Sequence, residues 1–337
     1  MAPEHSTGFT ILIPTYNSAG KIERCLSSVT EQDYPRELVQ ILVADGGSTD
    51  GTPEIALGYG AEVVDNPRRL AEEGLRTGMS AAAGEFLVIF ADDNELVGRD
   101  WLSRVAEILH ENPSVAAFWC RLGASPDDPP INHYFALIQS EPFSFFMNRN
   151  LPRYLNRAVP RLLAGSSYHV FEVKPEWPLV WGANGLTFRT DIIKPVWDTE
   201  HYLGDNDAFQ IMLERGHTKV AYSEDLGVYH HHVTSLREWR SKWKRNFVKH
   251  FLTKRETRNL NWLYVPHFRS KVMLWTIYSL VPLFSAAHAL FRAIQDRDLH
   301  WLYHPAAAFL QSVTYIRILA FSSEGRGFLW RLVTGRQ

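Results

Sequence analysis

Three groups of carboxylates stand where chemistry could be done. Asp45 opens the turn Asp45-Gly46-Gly47-Ser48-Thr49-Asp50-Gly51 after the apolar run Val39 to Ala44. Asp92 and Asp93 follow a second apolar run, Phe86 to Phe90. Asp205 and Asp207 head an apolar-periodic helix from Ala208 to Glu214 that stops at Gly216, as helices commonly stop at glycine. Carboxylates gathered in one place repel unless a hard cation or a shared proton intervenes. An oxygen-rich set of this kind suits Mg²⁺ or Mn²⁺ held by one or two carboxylates together with phosphate oxygens of a substrate. In Tyr229-His230-His231-His232, adjacent side chains on a strand point to opposite faces. His230 and His232 are therefore the pair that could join a metal, with packed or surface histidines as the plainer reading.

The elements that must position these groups alternate between strand and helix over the first ~120 residues. Such an order suggests an α/β fold with a mostly parallel sheet. Phe9 to Ile13 predicts a buried strand ended by Pro14, and Ala19 to Glu31 a helix with Ile22, Cys25, Leu26 and Val29 on one face. Val39–Ala44, Glu62–Val64, Phe86–Phe90 and Ser114–Cys120 predict further strands, and Trp101–Glu111 a helix. In open α/β sheets ligands bind beyond the carboxyl ends of the strands. Asp45 and the Asp92–Asp93 pair occupy such ends, so they are expected to meet at one site. From Gly123 to about Val180 no clear period emerges.

The chain has 337 residues, 45% apolar and 21% charged, enough for about two domains with a buried core. Lys and Arg total 35 against 37 Asp and Glu, a balance not built for nucleic acid. Two cysteines without metal or redox spacing exclude a disulfide framework and a cysteine zinc site, and fit a reducing compartment. The first eight residues carry no apolar stretch of a secretory signal.

The last third differs. Nine basic residues fall between Arg237 and Arg258, against Glu238 and Glu256. Lys242 and Arg245 are candidates to contact a diphosphate, and the same run could meet anionic headgroups. Val272 to Phe291 gives 20 residues without Asp, Glu, Lys or Arg, about the length that crosses a hydrocarbon core. Leu299 to Ile316 is a second uncharged run, with His300, His304, Pro305 and Gln311 inside it. Basic residues outside both runs predict a membrane-associated hairpin with both ends, and the catalytic part, on the cytoplasmic side. A pair of buried or interfacial helices is the alternative.

Ile13-Pro14-Thr15-Tyr16-Asn17, Val43 through Thr52, Ala83-Gly84-Glu85 running into Ala91-Asp92-Asp93-Asn94, and Gly204-Asp205-Asn206-Asp207 with Leu213 to Gly216 come in an order and spacing that resembles family 2 inverting glycosyltransferases of the polyprenol-phosphate or lipid-linked-glycan type. The resemblance covers roughly residues 9 to 245. It implies a GT-A fold and these roles. Pro14, Thr15, Asn17 and Asp92 would lie beside the donor, with Asp45 accepting a hydrogen bond from uracil or guanine. Asp93 would hold the cation on the diphosphate, joined by His230 or His232. Asp205 would be the general base, and Trp181, Gly182, Asn184 and Asp207 would face the acceptor. The partners implied are a nucleotide-sugar donor, a lipid-linked acceptor and membrane lipids.

The expected division is residues 1–122 for the nucleotide-sugar half, 123–250 for the acceptor half, and 251–337 for a helical membrane-associated region. The chain departs from the family at Ala91 and Gly204, where an Asp and a Glu are usual. Single sugar transfer is expected over processive synthesis, because Arg237-Glu238-Trp239-Arg240 only partly echoes the processive signature. A sugar nucleotidyltransferase is a second reading, although Pro14 to Lys21 makes a poor triphosphate loop. A catalytically silent scaffold of the same fold is a third.

Overall fold

Ile22, Cys25, Leu26 and Val29 are the buried residues of helix α1 (Ile22–Thr30), so its three- and four-residue spacing presses one apolar stripe onto a sheet. The computed structural model describes residues 8–148, 150–163, 165–177, 179, 184–198, 203–253 and 267–334. They form two compact units. The first comprises the chain up to Gly123 together with Asn150–His230.

In this unit the strands, numbered in chain order, are β1 (Phe9–Thr15), β2 (Val39–Asp45), β3 (Glu62–Asp65), β4 (Phe86–Ile89), β5 (Asn94–Leu96), β6 (Ala117–Gly123), β7 (Pro160–Leu163), β8 (Ser166–Glu172), β9 (Leu186–Arg189) and β10 (Lys219–His230). Their order across the sheet is β3-β2-β1-β4-β9-β6-β10-β8-β7, and β5 pairs with β10. The expected mostly parallel sheet is instead mixed. β1–β2, β1–β4, β2–β3 and β6–β10 run parallel. The other described pairings, β4–β9, β6–β9, β8–β10, β7–β8 and β5–β10, are antiparallel.

Helices cover both faces of the sheet. On one face α1, α2 (Thr52–Gly58) and α4 (Trp101–Glu111) bury Leu26, Ala56 and Val105 against Ile11, Ile41 and Val88. On the other, α3 (Ala71–Ala81), α8 (Thr190–Trp197) and α9 (Asp205–Glu214) bury Met79, Ile193 and Met212 against Leu12, Leu42 and Leu87. Both faces being covered explains why the strands read as continuous apolar runs rather than alternating ones. The stretch without a sequence period holds β7 and β8, with α7 (Asn150–Leu155) before them.

The second unit comprises Ala124–Arg149, His231–Arg258 and Leu263–Gln337. Its helices are α5 (Pro130–Ile138), α6 (Pro142–Met147), α10 (Leu236–Asn246), α11 (Phe268–Leu280), α12 (Pro282–Asp296), α13 (His304–Phe321) and α14 (Ser323–Thr334). Ile131, Tyr134, Phe135, Trp239, Trp301 and Ala307 build its core. The buried His304 is paired at both ring nitrogens: it meets the Tyr134 hydroxyl at 2.8 Å through Nδ1 and the Tyr278 hydroxyl at 2.7 Å through Nε2.

The expected hairpin of two crossing helices is not what the C-terminal runs form. Among the described residues no single helix is long and apolar enough to cross a membrane. The uncharged run Val272–Phe291 is broken at Val281, and α11 and α12 meet there at a bend of 85°. Pro282 opens α12 at a position where its missing N–H costs nothing, and it cannot continue α11. The second run is split between a 3₁₀ turn, Leu299–Tyr303, and α13. Its polar residues His304 and Gln311 point inward.

Candidate active site

The parallel strands β1, β2, β4, β6 and β10 all end on one edge of the sheet. Thr15, Asp45 and His230 are the last residues of their strands, and Asp92 and Asp93 follow β4 within a few residues. β9 enters the sheet antiparallel, with Leu186 beside Ile89. That reversal puts Asn184, just before β9, on the same edge. α9 returns toward the opposite edge, where Gly216 turns the chain into β10. Its first residue, Asp205, therefore lies toward the carboxyl edge as well.

The Asp45 turn is built on its own carboxylate. Oδ2 accepts from the backbone N–H of Gly47 and of Ser48, each at 2.8 Å, and Oδ1 accepts from the Ser48 hydroxyl at 2.5 Å. The turn is stitched to the loop after β1, because the Asn17 N–H donates to Ser48 Oγ at 2.7 Å and Asn17 Oδ1 accepts from the Thr49 N–H at 3.0 Å. Asn17 does this in a left-handed conformation, φ 50°, which asparagine tolerates better than most residues. Gly46 allows Tyr16 to pack on the turn, since a Cβ there would stand 3.1 Å from the Tyr16 ring. Arg69 lies 5.1 Å above that ring, an aromatic–cation pair that nothing in the sequence spacing announced.

Asp92 and Asp93 face different ways. Asp92 accepts from Thr15 Oγ1 at 3.2 Å, from the Ser18 hydroxyl, and from Lys21 Nζ at 2.8 Å. It thereby anchors the loop after β1. The expected donor-binding Asp92 and Thr15 are tied to each other, and Ser18 and Lys21 complete a cluster that the motif alone did not single out. Burial works to lower the Lys21 pKa, but the carboxylates of Asp92 and Asp93 and the hydrogen bond to Asp92 hold it above its ordinary value.

Asp93 turns to His230, whose Nε2 lies 3.4 Å from Asp93 Oδ1. Behind them, Asn184 Nδ2 lies 3.2 Å from His230 Nδ1, and Asn94 Nδ2 donates to Asn184 Oδ1 at 3.0 Å. Asn94, Asn184 and Asp93 are all buried, so the row is held in place. Among the described residues no group of three His, Cys, Asp or Glu side chains is arranged to hold a metal by itself. The pair fits a cation that takes its other ligands from substrate and water. Neighbouring ligands of an ion held at about 2.1 Å stand roughly 3 Å apart, close to the spacing seen here.

His232 belongs to the second unit, beyond the end of β10, where Lys242 Nζ lies 3.1 Å from its Nδ1 and Phe135 packs on its ring. A lysine ammonium at that nitrogen is a poor setting for a metal ligand. Lys242 and the exposed Arg245 lie on α10 of the same unit. Asp207 is fully buried, and its Oδ2 accepts from the Gly204 N–H at 2.8 Å, closing the first turn of α9. That helix-capping position turns it away from the acceptor role expected of it. Asp205 is half-buried, with Oδ1 accepting from the Asn206 N–H at 2.8 Å. Trp181 and Gly182, expected to face the acceptor, lie outside the described residues.

Residues 10–168 match the family described as Glycosyl transferase family 2. A stretch of 102 residues is 36% identical to "Glycosyltransferase AglE" of Haloferax volcanii, covering 28% of this chain and 33% of that protein. A stretch of 88 residues is 33% identical to the "Dolichyl N-acetyl-alpha-D-glucosaminyl phosphate 3-beta-D-2,3-diacetamido-2,3-dideoxy-beta-D-glucuronosyltransferase" of Methanococcus voltae, covering 24% of this chain and 27% of that one. The chain thus matches about a third or less of the length of these curated relatives. Among solved structures, the mannosyltransferase PcManGT of Pyrobaculum calidifontis, in complex with GDP-Man and Mn²⁺, aligns over 92% of this chain and 87% of its own. Its TM-score is 0.53 at 19% identity, a likeness of fold.

Proposed function

Because the chain carries a glycosyl transferase family 2 domain, we propose that it is an inverting, divalent-cation-dependent enzyme moving one sugar from UDP or GDP to a hydroxyl or phosphate acceptor. The observation that carries this reading is the Asp93–His230 pair on the carboxyl edge, 3.4 Å apart and backed by Asn184. The edge is where an α/β sheet takes its ligand. A carboxylate and an imidazole at that spacing leave the remaining positions of Mg²⁺ or Mn²⁺ to diphosphate oxygens and water. The neighbour bound to GDP-Man and Mn²⁺ supports the same donor chemistry.

In this scheme Asp45 sets the shape of the base pocket. Oδ2 is filled by the two N–H groups of the turn, whereas Oδ1 accepts only the Ser48 hydroxyl and keeps acceptor capacity for a base N–H. Tyr16 and Arg69 offer an exposed aromatic face and a cation beside it. Asp93 and His230 would hold the cation, which neutralises charge growing on the leaving diphosphate. Asp205, at the start of α9, takes the proton from the acceptor hydroxyl as it attacks the anomeric carbon. Displacement from the opposite side inverts that carbon. Asn184 supports His230 rather than reaching for the acceptor.

The acceptor in this reading is lipid-linked and the enzyme works on the cytoplasmic face of a membrane. The similarity to the dolichyl-phosphate-linked sugar transferase of Methanococcus voltae supports this, as does the apolar surface of the C-terminal helices. The test incubates the full chain with UDP- and GDP-sugars, polyprenyl phosphate and soluble sugars, in Mn²⁺ or in chelator. A metal-dependent lipid product with one donor is expected. Transfer to a soluble sugar alone removes the lipid part, and no transfer from any donor removes the reading.

A further inference from the structure

The two arms α11 and α12 are built inside out. The buried residues of α11 are Trp275 and Ser279, and those of α12 are Ser285, Ala289 and Ala293. The large apolar side chains instead face outward. Leu274 is 54% exposed, Ile277 47%, Leu283 73%, Phe284 52%, Phe291 63% and Ile294 72%. The polar groups of the run are satisfied within the second unit: Tyr278 meets His288 and His304, and Ser279 meets Ser312 at 2.7 Å. Trp275 apart, small and polar residues face inward and large apolar ones outward, the pattern of helices whose solvent is lipid. In water it would expose a patch far larger than single scattered side chains.

Charge sets the boundaries of that surface. From Val272 to Phe291 there is no Asp, Glu, Lys or Arg. Arg269 and Lys271 stand at the open end of α11; at the open end of α12 Arg292 pairs with Asp296 at 2.8 Å, and Arg297 is flanked by Asp296 and Asp298. The apex is Val281-Pro282-Leu283-Phe284, exposed throughout. We propose that α11 and α12 form a wedge that enters one leaflet of an anionic membrane, apex first, with Arg269 and Lys271 at the headgroups.

The dimensions agree with one leaflet. The uncharged parts, Val272–Leu280 and Pro282–Phe291, are about 13 and 15 Å long at 1.5 Å per residue. With the bend of 85° shared between the arms, the apex lies about 10 Å below the cation rim. That is the depth of an interfacial helix and falls short of the midplane of a core about 30 Å thick. The charges at the α12 end balance, so the net positive charge of the rim is that of Arg269 and Lys271. It favours anionic lipid over a second copy of the chain, whose like-charged α11 end would meet this one across a symmetric interface. This inference rests on the membrane part of the proposed function and is independent of its donor chemistry.

The test floats the full chain on phosphatidylcholine vesicles with and without phosphatidylglycerol. Binding to both is expected, tighter with phosphatidylglycerol. Leu283→Glu with Phe284→Glu alters only exposed side chains and should reduce flotation at least about tenfold. Arg269→Glu with Lys271→Glu should remove the preference for the anionic vesicles. Leu283→Cys carrying a fluorophore should be quenched by a lipid labelled in the acyl chain and be inaccessible to a reagent enclosed in the vesicle. Three results would overturn the wedge: a chain that never floats, an apex reached from the far side, or a dimer in sedimentation that the Glu pair dissociates. Nucleotide binding measured on the same proteins keeps the two readings apart. Flotation without nucleotide binding sinks the donor chemistry and supports the wedge, and nucleotide binding without flotation does the reverse.

Discussion

His230 Nε2 stands 3.4 Å from Asp93 Oδ1, although 137 residues of chain separate them. The antiparallel pairing of β5 with β10, which sets Asn94 opposite His230, brings the two together, and they are the groups proposed to hold the cation. Asp93→Asn removes the negative charge and keeps the shape. It should weaken metal-dependent binding of UDP or GDP by roughly a hundredfold. Calorimetry of the nucleotide with and without Mn²⁺ checks this, and equal affinities for the variant and the parent would remove Asp93 from the site.

Asn184 governs which His230 nitrogen carries the proton. In the amide orientation in which its Nδ2 donates to His230 Nδ1 and its Oδ1 accepts from Asn94, the imidazole proton would sit on Nε2, toward Asp93. Turning both amides over lets Nδ1–H donate instead and frees the Nε2 lone pair. Metal binding should therefore switch the tautomer, visible in the nitrogen shifts of His230. Asn184→Ala should lower Mn²⁺ affinity about ten- to a hundredfold, the usual effect of losing the group that orients a metal-binding histidine. A tautomer unmoved by Mn²⁺ would separate Asn184 from the metal.

The parts of this arrangement legible in the sequence are those written locally. A short apolar run followed by a Gly- and Asp-rich turn marks the end of β2, the same kind of run followed by Asp92-Asp93 marks the end of β4, and helical spacing marks α1, α4 and α9. What was not legible depends on strand pairing at long range. Nothing around Leu186 says that β9 inserts antiparallel between β4 and β6, so Asn184 was read as an acceptor residue. Adjacent carboxylates look alike in sequence, yet Asp92 turns to Ser18 and Lys21 while Asp93 turns to His230. At the C-terminus composition gave the uncharged length, and the break at Val281–Pro282 decided its shape.

Asp205→Asn tests the base. An amide cannot accept the acceptor proton, so transfer should fall by about 10²–10⁴-fold. Nucleotide affinity in Mn²⁺ should stay near the parent value, since the residue is proposed to touch the acceptor. A variant with unaltered transfer would point to the silent-scaffold reading or to another base.

The Lys21–Asp92 pair predicts a pH effect with a definite sign. A lysine held above its ordinary value, about 10.4, stabilises the fold at all lower pH. That contribution disappears as pH rises through the higher native value. Half-exposed Lys21 limits it to below about 1 kcal/mol. Lys21→Met should therefore melt slightly below the parent at neutral pH, and the two curves should converge in strongly alkaline solution. A gap that persists there would assign the loss to packing rather than charge.

Gly185 joins the fold to the site, and substituting it should damage both. Its N–H donates to the Ile89 carbonyl at 3.0 Å, fixing the chain between Asn184 and β9. It does so at φ +76°, and a Cβ there would stand 2.8 Å from Val228 Cγ2 and 3.1 Å from Cys120 Sγ. Gly185→Ala therefore combines left-handed strain, about 1–2 kcal/mol, with overpacking of about 1–3 kcal/mol. Gly216 separates these terms, because at φ +92° it has nothing within 4 Å of the added Cβ. Gly216→Ala should lose only the strain and keep nucleotide and Mn²⁺ binding. Gly185→Ala should lose more stability in denaturant titration and also bind Mn²⁺ more weakly, since relief of the clash moves Asn184 away from His230. Equal losses in the two variants, with Mn²⁺ affinity untouched in both, would show that the approach of Gly185 to Val228 does not position the site.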